Sequence, residues 1–164
     1  MIFTKFSDLY RRVIEDVRTS HPKWIYILTY GLWAGVSPSG HVTERSQTFR
    51  FFNYLNTTSH VKVLIGYETI LPKVCVSTAE YFSNISFYAV PKMHSKAIVL
   101  STGQIAIGSS NINDSWWGEV IYYGVLGERD FNDVVSHCHQ QEINGTPVGD
   151  VVDVDISELL AKVK

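Results

Sequence analysis

Four side chains within residues 93–111 could do chemistry together: His94, Lys96, Ser109 and Asn111. An imidazole, an ammonium, a hydroxyl and a carboxamide suit a phosphate, with a nucleophile or base among them. The pattern between them says how they would meet. Residues 97–100 (Ala-Ile-Val-Leu) and 105–107 (Ile-Ala-Ile) are apolar and partly β-branched, and Ser101-Thr102-Gly103-Gln104 between them has turn composition. This predicts an antiparallel hairpin, in which the beginning of the first strand lies beside the end of the second. His94 and Lys96 precede the first strand, and Gly108, Ser109 and Asn111 follow the second, so the polar groups share one edge.

The spacing also resembles the signature of the phospholipase D superfamily. It reads His94-x-Lys96, four residues, a polar position at Ser101, six residues, then Gly108-Ser109-x-Asn111. That family usually carries Asp where this chain has Ser101, so one member of the pattern is missing. The resemblance implies a phosphodiesterase in which His94 attacks phosphorus to form a phosphohistidine, while Lys96, Ser109 and Asn111 clamp the phosphate. Glu119, eleven residues beyond Gly108, falls close to where the family places an acid that orients the catalytic imidazole. Two signatures supply two histidines in that family, and this chain has one. A two-fold homodimer that brings both copies of His94 together is the simplest resolution. Small single-signature members are typically nucleases, so DNA or RNA is the implied substrate, with no metal and no cofactor.

Two rival readings stand beside it. A phospholipid head-group phosphodiesterase would need a membrane-facing apolar lip, for which the sequence offers only Leu32-Trp33 and Trp116-Trp117. A catalytically silent, phosphate- or nucleic-acid-binding dimer is favoured by Ser101 and opposed by the intact His94. Each candidate also has a plainer reading. Lys96 could be a solvated strand-end lysine, Ser109 and Asn111 could cap a following turn, and Glu119 could be a strand-edge carboxylate. Trp33 and Trp116 could stack on substrate bases or fill the core. His137 and His139 flank Cys138, but two residues apart on a helix they point to different sides, which argues against a metal site. No other cluster has convincing ligand spacing.

The whole chain bounds these readings. At 164 residues it is long enough for one domain with a real core, read as 1–164 with 143–164 as a C-terminal extension. A net charge of −2 excludes a globally basic nucleic-acid binder but leaves room for a local basic cleft. Cys75 and Cys138 have neither metal nor redox spacing and read as reduced thiols of a cytoplasmic protein. Residues 1–17 lack an uninterrupted apolar run, so neither a signal peptide nor stable membrane association is expected. Instead Phe3, Phe6, Leu9, Tyr10, Val13, Ile14 and Val17 fall at helical spacing, with Arg11, Arg12, Glu15 and Asp16 opposite.

Beyond that helix, residues 24–30, 61–66, 85–90 and 119–125 read as strands. Residues 43–55 read as a helix with Thr43 as N-cap, 72–83 as a loop leading into a short helix, and 130–141 as a helix with Phe131, Val134, Val135 and Cys138 facing in. An edge strand at 151–156 and a capped helix at 157–164 complete the reading. Strands interleaved with helices predict an α/β fold with a mixed sheet sandwiched between helices, phospholipase D-like in outline.

Overall fold

The computed structural model describes residues 1–58, 60–113 and 120–151. In chain order its elements are β1 (Ile2–Phe3), α1 (Phe6–Ser20), β2 (Ile25–Thr29), α2 (Gln47–Leu55), β3 (Val61–Tyr67), α3 (Lys73–Tyr81), β4 (Ser86–Pro91), β5 (Ala97–Leu100), β6 (Gln104–Gly108), β7 (Ile121–Val125), α4 (Glu128–Ile143) and β8 (Thr146–Pro147). They build one eight-stranded mixed sheet in the order β1-β7-β6-β5-β2-β3-β4-β8. β2, β3 and β4 are parallel, and β2 also pairs antiparallel with β5, the first strand of the hairpin.

Helices cover both faces, as expected of a sheet with buried parallel strands. On one face α1, α2 and α3 enclose a core that includes Phe51, Phe52, Leu55 and Phe82 over Ile27, Val63 and Ile98. Each such large side chain contributes about 1.5–3 kcal/mol by leaving water. On the other face α4 seats Cys138 among Tyr26, Leu28, Leu64, Val99 and Ile105, with Phe131 and Val134 half-buried beside it. Burial pushes the Cys75 thiol up to about 11 and the Cys138 thiol up to about 12, which keeps both protonated and inert at neutral pH.

Tertiary pairing adjusts several boundaries. Phe3 lies in β1, paired with Ile121 of β7, so the N-terminal helix begins at Phe6. Asp16, expected on the solvent side, is buried and accepts a 2.6 Å hydrogen bond from the Tyr123 hydroxyl of β7. Ser46 rather than Thr43 caps α2, its Oγ accepting from the Phe49 N–H at 3.1 Å, while the Thr43 N–H is drawn to the Gly35 carbonyl. The C-terminal extension begins as part of the fold, since β8 pairs with β4 and Val148 is buried. The strand expected at 151–156 and the helix at 157–164 lie outside the described residues, Val151 excepted. Among the described residues no helix is long and apolar enough to cross a membrane.

One polar cluster fixes α4 to the sheet. Lys62 Nζ donates to Glu142 Oε1 at 2.6 Å and Oε2 at 3.0 Å, and the Tyr26 hydroxyl donates to Oε2 at 2.7 Å. Partial burial alone would push the Glu142 carboxyl up, but the bonds from Lys62 and Tyr26 outweigh it and hold the group below the usual glutamate range. A depressed carboxyl stabilises the fold above its unfolded-state value and loses that effect as pH falls through its folded-state value. Glu142→Gln should therefore cost about 1–3 kcal/mol at neutral pH. In urea titrations the gap between variant and wild type should close as pH falls below the ordinary glutamate range. A gap that stays constant with pH would contradict the ion pair.

Candidate active site

The hairpin meets the parallel strands at one edge. β2 and β3 end there, and β5 begins there because it runs antiparallel to β2. Residues 92–96 bridge from β4 to β5 across those strand ends. Lys92 turns the chain with φ 61 and donates its N–H to the Tyr67 carbonyl at 2.9 Å. Met93 is buried, and its carbonyl passes so close to Gly66 that a Cβ there would lie 1.9 Å from the oxygen. Only glycine permits that approach.

His94 emerges just beyond it. Its ring lies flat on Tyr30, with centroids 4.4 Å apart and planes 11° from parallel. Its Nε2 is 3.6 Å from Glu68 Oε1, an ion pair whenever the ring is protonated. With 59% of the side chain exposed, the imidazole is still accessible to a reactant. Lys96 folds back so that Nζ donates to the His94 carbonyl at 2.8 Å.

The far end of the hairpin returns to the same place. The Gly108 N–H approaches the Lys96 carbonyl at 3.5 Å, and Ser109 follows at the surface. Asn111 reaches across to β2, where Oδ1 accepts from the Tyr30 N–H at 3.2 Å and the carboxamide packs over Gly31. With its oxygen engaged, its Nδ2 is the end able to donate. Next to it the Ile112 N–H donates to Thr29 Oγ1 at 3.0 Å, and the Trp33 N–H donates to the Ile112 carbonyl at 3.0 Å. Tyr30 is thus the hub of the site, carrying His94 on its ring and Asn111 on its backbone.

Sequence reasoning brings His94, Lys96, Ser109 and Asn111 to one edge, and the structure places them there. Trp33 is half-buried beside them, held through its backbone. Glu119 and Trp116 lie outside the described residues. Ser101 is at the opposite end of β5, where Oγ accepts from the N–H groups of Lys23 at 2.7 Å and Trp24 at 3.4 Å. The departure from the family pattern therefore falls at the start of β2, not at the imidazole. Two site residues had no sequence motif: Tyr30 and Glu68. The usable signal was positional, because each directly follows a parallel strand, and ligands of open α/β sheets gather beyond the strands' carboxyl ends.

An exposed imidazole flanked by an ammonium, a hydroxyl and a carboxamide can attack or deprotonate at a bound tetrahedral anion. Among the described residues no group of three His, Cys, Asp or Glu side chains converges as a metal-binding set. On the α4 side a cleft of about 520 Å³ adjoins the site. Its edge carries His94, Ser95 and Lys96 from the bridge, with His137 of α4 facing them, and Ser95 Oγ and His137 Nε2 are hydrogen-bonded at 2.8 Å.

No family model and no curated protein matches the sequence. Solved structures do match. NucT from Helicobacter pylori superposes with a TM-score of 0.57 at 11% identity, covering 90% of this chain and 97% of that one. Nuc from Salmonella typhimurium, a phospholipase D family member, gives 0.54 at 12% identity, covering 84% and 89%. TrmBL2, an archaeal chromatin protein with a novel mode of DNA binding, gives 0.52 at 10% identity, covering 90% of this chain and 53% of that one. The chain shares the fold of these structures, Nuc, a phospholipase D family member, among them.

Two substitutions test how the site is held. Gly66→Ala should destabilise the protein by about 3 kcal/mol or more, because the Met93 carbonyl has nowhere to go. Unfolding midpoints measure this, and a variant as stable as wild type would refute the close approach. Tyr30→Leu should abolish the upfield ring-current shift of the His94 ring protons in the NMR spectrum. An unmoved His94 signal would show that the rings do not stack.

Proposed function

We propose that this protein is a metal-independent phosphodiesterase, a nuclease cleaving DNA or RNA through a phosphohistidine at His94 in a homodimer. The observation that carries the reading is the convergence of His94, Lys96, Ser109 and Asn111 at the carboxyl ends of the central strands, with the imidazole outward. A phosphodiester resists attack because it is an anion, so its charge must be neutralised while a nucleophile approaches. Lys96 supplies the charge, and the Ser109 hydroxyl and Asn111 Nδ2 supply further donors.

A neutral His94 attacks phosphorus and the P–O bond to one alcohol breaks. The departing oxygen takes a proton from a second, protonated imidazole, the His94 of another copy of the chain. That imidazole, now neutral, removes a proton from water, which displaces the first histidine and restores both rings. Glu119 keeps the role of orienting the imidazole in this scheme, and Trp33 and Trp116 that of stacking on bases. The structural likeness to TrmBL2, whose structure shows DNA binding, favours nucleic acid over a lipid head group as the substrate class.

The decisive experiment incubates purified protein with plasmid, single-stranded DNA, RNA and a chromogenic phosphodiester, with and without excess chelator. Cleavage should survive chelation, and light scattering at micromolar concentration should report a dimer. His94→Ala should abolish turnover while binding persists, and Lys96→Ala should weaken both. Ser101→Asp should leave activity intact, since the position caps β2 at the other end of the hairpin. An active His94→Ala dimer would refute the chemistry, and an active monomer would refute the second-copy imidazole. Wild type and His94→Ala equally inert and equally able to bind would establish a silent binding module.

A further inference from the structure

We propose that the cleft between α4 and the β5–β6 hairpin is a nucleobase subsite, selective for bases that carry an exocyclic amine. The proposal rests on the phosphodiesterase reading above, and extends it from the phosphate to the group attached to it. The cleft measures about 520 Å³. That lies within the roughly 300–1,000 Å³ usual for small-ligand sites. Its floor is apolar, built from the buried Leu28, Ile105 and Cys138, with Val134 of α4 on one wall. The opposite wall is Ile107, which is 43% exposed although Ile105 and Ala106 before it are almost fully buried.

An apolar slot with a half-exposed aliphatic wall suits a flat ring, whose faces leave water there without any specific hydrogen bond. The polar rim is asymmetric. His94 and Lys96 stand on the phosphate side, so the base of a nucleotide whose phosphate binds there is within reach of the slot. Asp133 and His137 stand on the α4 side, four residues apart and therefore on one face of the helix. His137 is bonded to Ser95 at 2.8 Å, which joins the two rims.

Asp133 decides the selectivity. A carboxylate only accepts hydrogen bonds, so it favours a ligand edge rich in donors. Guanine offers adjacent N1–H and N2–H₂ donors that match a carboxylate's two oxygens, and adenine and cytosine each offer an exocyclic amine. Thymine and uracil offer a single N3–H donor flanked by two carbonyl oxygens, a poorer match to the carboxylate. The same negative charge opposes a second phosphate in the slot.

The test is titration calorimetry of the wild-type protein with inorganic phosphate, ribose 5-phosphate, glycerol 3-phosphate, GMP and UMP. GMP should bind about tenfold tighter than ribose 5-phosphate, because its base leaves water against the apolar floor. It should also bind tighter than UMP. Asp133→Asn should bring GMP down to the level of UMP, and Ile107→Ser, which removes the apolar wall without adding charge, should remove the advantage of both nucleotides while leaving phosphate and ribose 5-phosphate unchanged. GMP binding no tighter than ribose 5-phosphate or glycerol 3-phosphate, with phosphate itself bound, would overturn the subsite and leave the phosphodiesterase reading standing. Nucleotide binding unaffected by Ile107→Ser would also overturn it. GMP selectivity in a protein that binds neither phosphate nor ribose 5-phosphate would uphold the subsite and strike the phosphodiesterase reading instead.

Discussion

The crossing of residues 92–96 over the end of β3 governs the rest of the site. In the sheet β5 neighbours β2, so the chain leaving β4 must pass β3 and β2 before it can pair again. Three strand spacings of about 4.8 Å make roughly 14 Å. The six steps from Pro91 to Ala97 reach at most about 21 Å when fully extended. With the turn at Lys92 and Met93 buried, the bridge uses that length to lie directly on the strand ends. Gly66 is what lets it lie there, because any Cβ would collide with the Met93 carbonyl. Once that passage is made, His94 necessarily stands over Tyr30, the residue after β2, and near Glu68, the residue after β3.

The same geometry separates rigidity from reactivity. Beneath the bridge, Ile27, Val63 and Ile65 are fully buried, so the strand ends behave as a fixed platform. The reactive groups stand on its rim with their side chains in contact with water. Their support comes from backbone bonds such as Tyr30 N–H to Asn111 and from ring stacking, not from burial of the charges themselves. A charged group kept at the rim avoids the desolvation cost that an interior position would impose. The carboxylates that tie helices to the sheet, Glu142 in its partly buried ion pair with Lys62 and Asp16 in its buried hydrogen bond from Tyr123, sit elsewhere.

How far the sequence discloses this arrangement depends on the range of the interaction. The hairpin is legible because it is local: two apolar runs, a Gly103 turn with φ 107, and polar groups at fixed spacing. The stripe Phe6, Leu9, Tyr10, Val13, Val17 is legible for the same reason, since each residue predicts its neighbour one turn away. Phe3 misled because its hydrophobicity fits both a helix stripe and an edge strand, and only pairing with β7 decides. Asp16 misled because burial there depends on Tyr123, more than a hundred residues away. Tyr30 and Glu68 were invisible as site residues on the same ground. Their proximity to His94 follows from strand order, and strand order is a property of the whole sheet.

The engagement of Lys96 bears on how an anion would enter. Its ammonium donates to the carbonyl of the residue that carries the imidazole, at 2.8 Å. A carbonyl is a neutral acceptor, and a phosphate oxygen adds to the bond the attraction of an opposite charge. An ammonium has three donors, so it can take up the anion while keeping its hold on the backbone. The cation is therefore tethered within one residue of His94, and whatever anion it draws arrives beside that ring. Asn111 is tethered in the same way, through an oxygen committed to Tyr30, which leaves its amide hydrogens for the incoming group. Each of these two donors is thus oriented by a bond to the residues that hold His94.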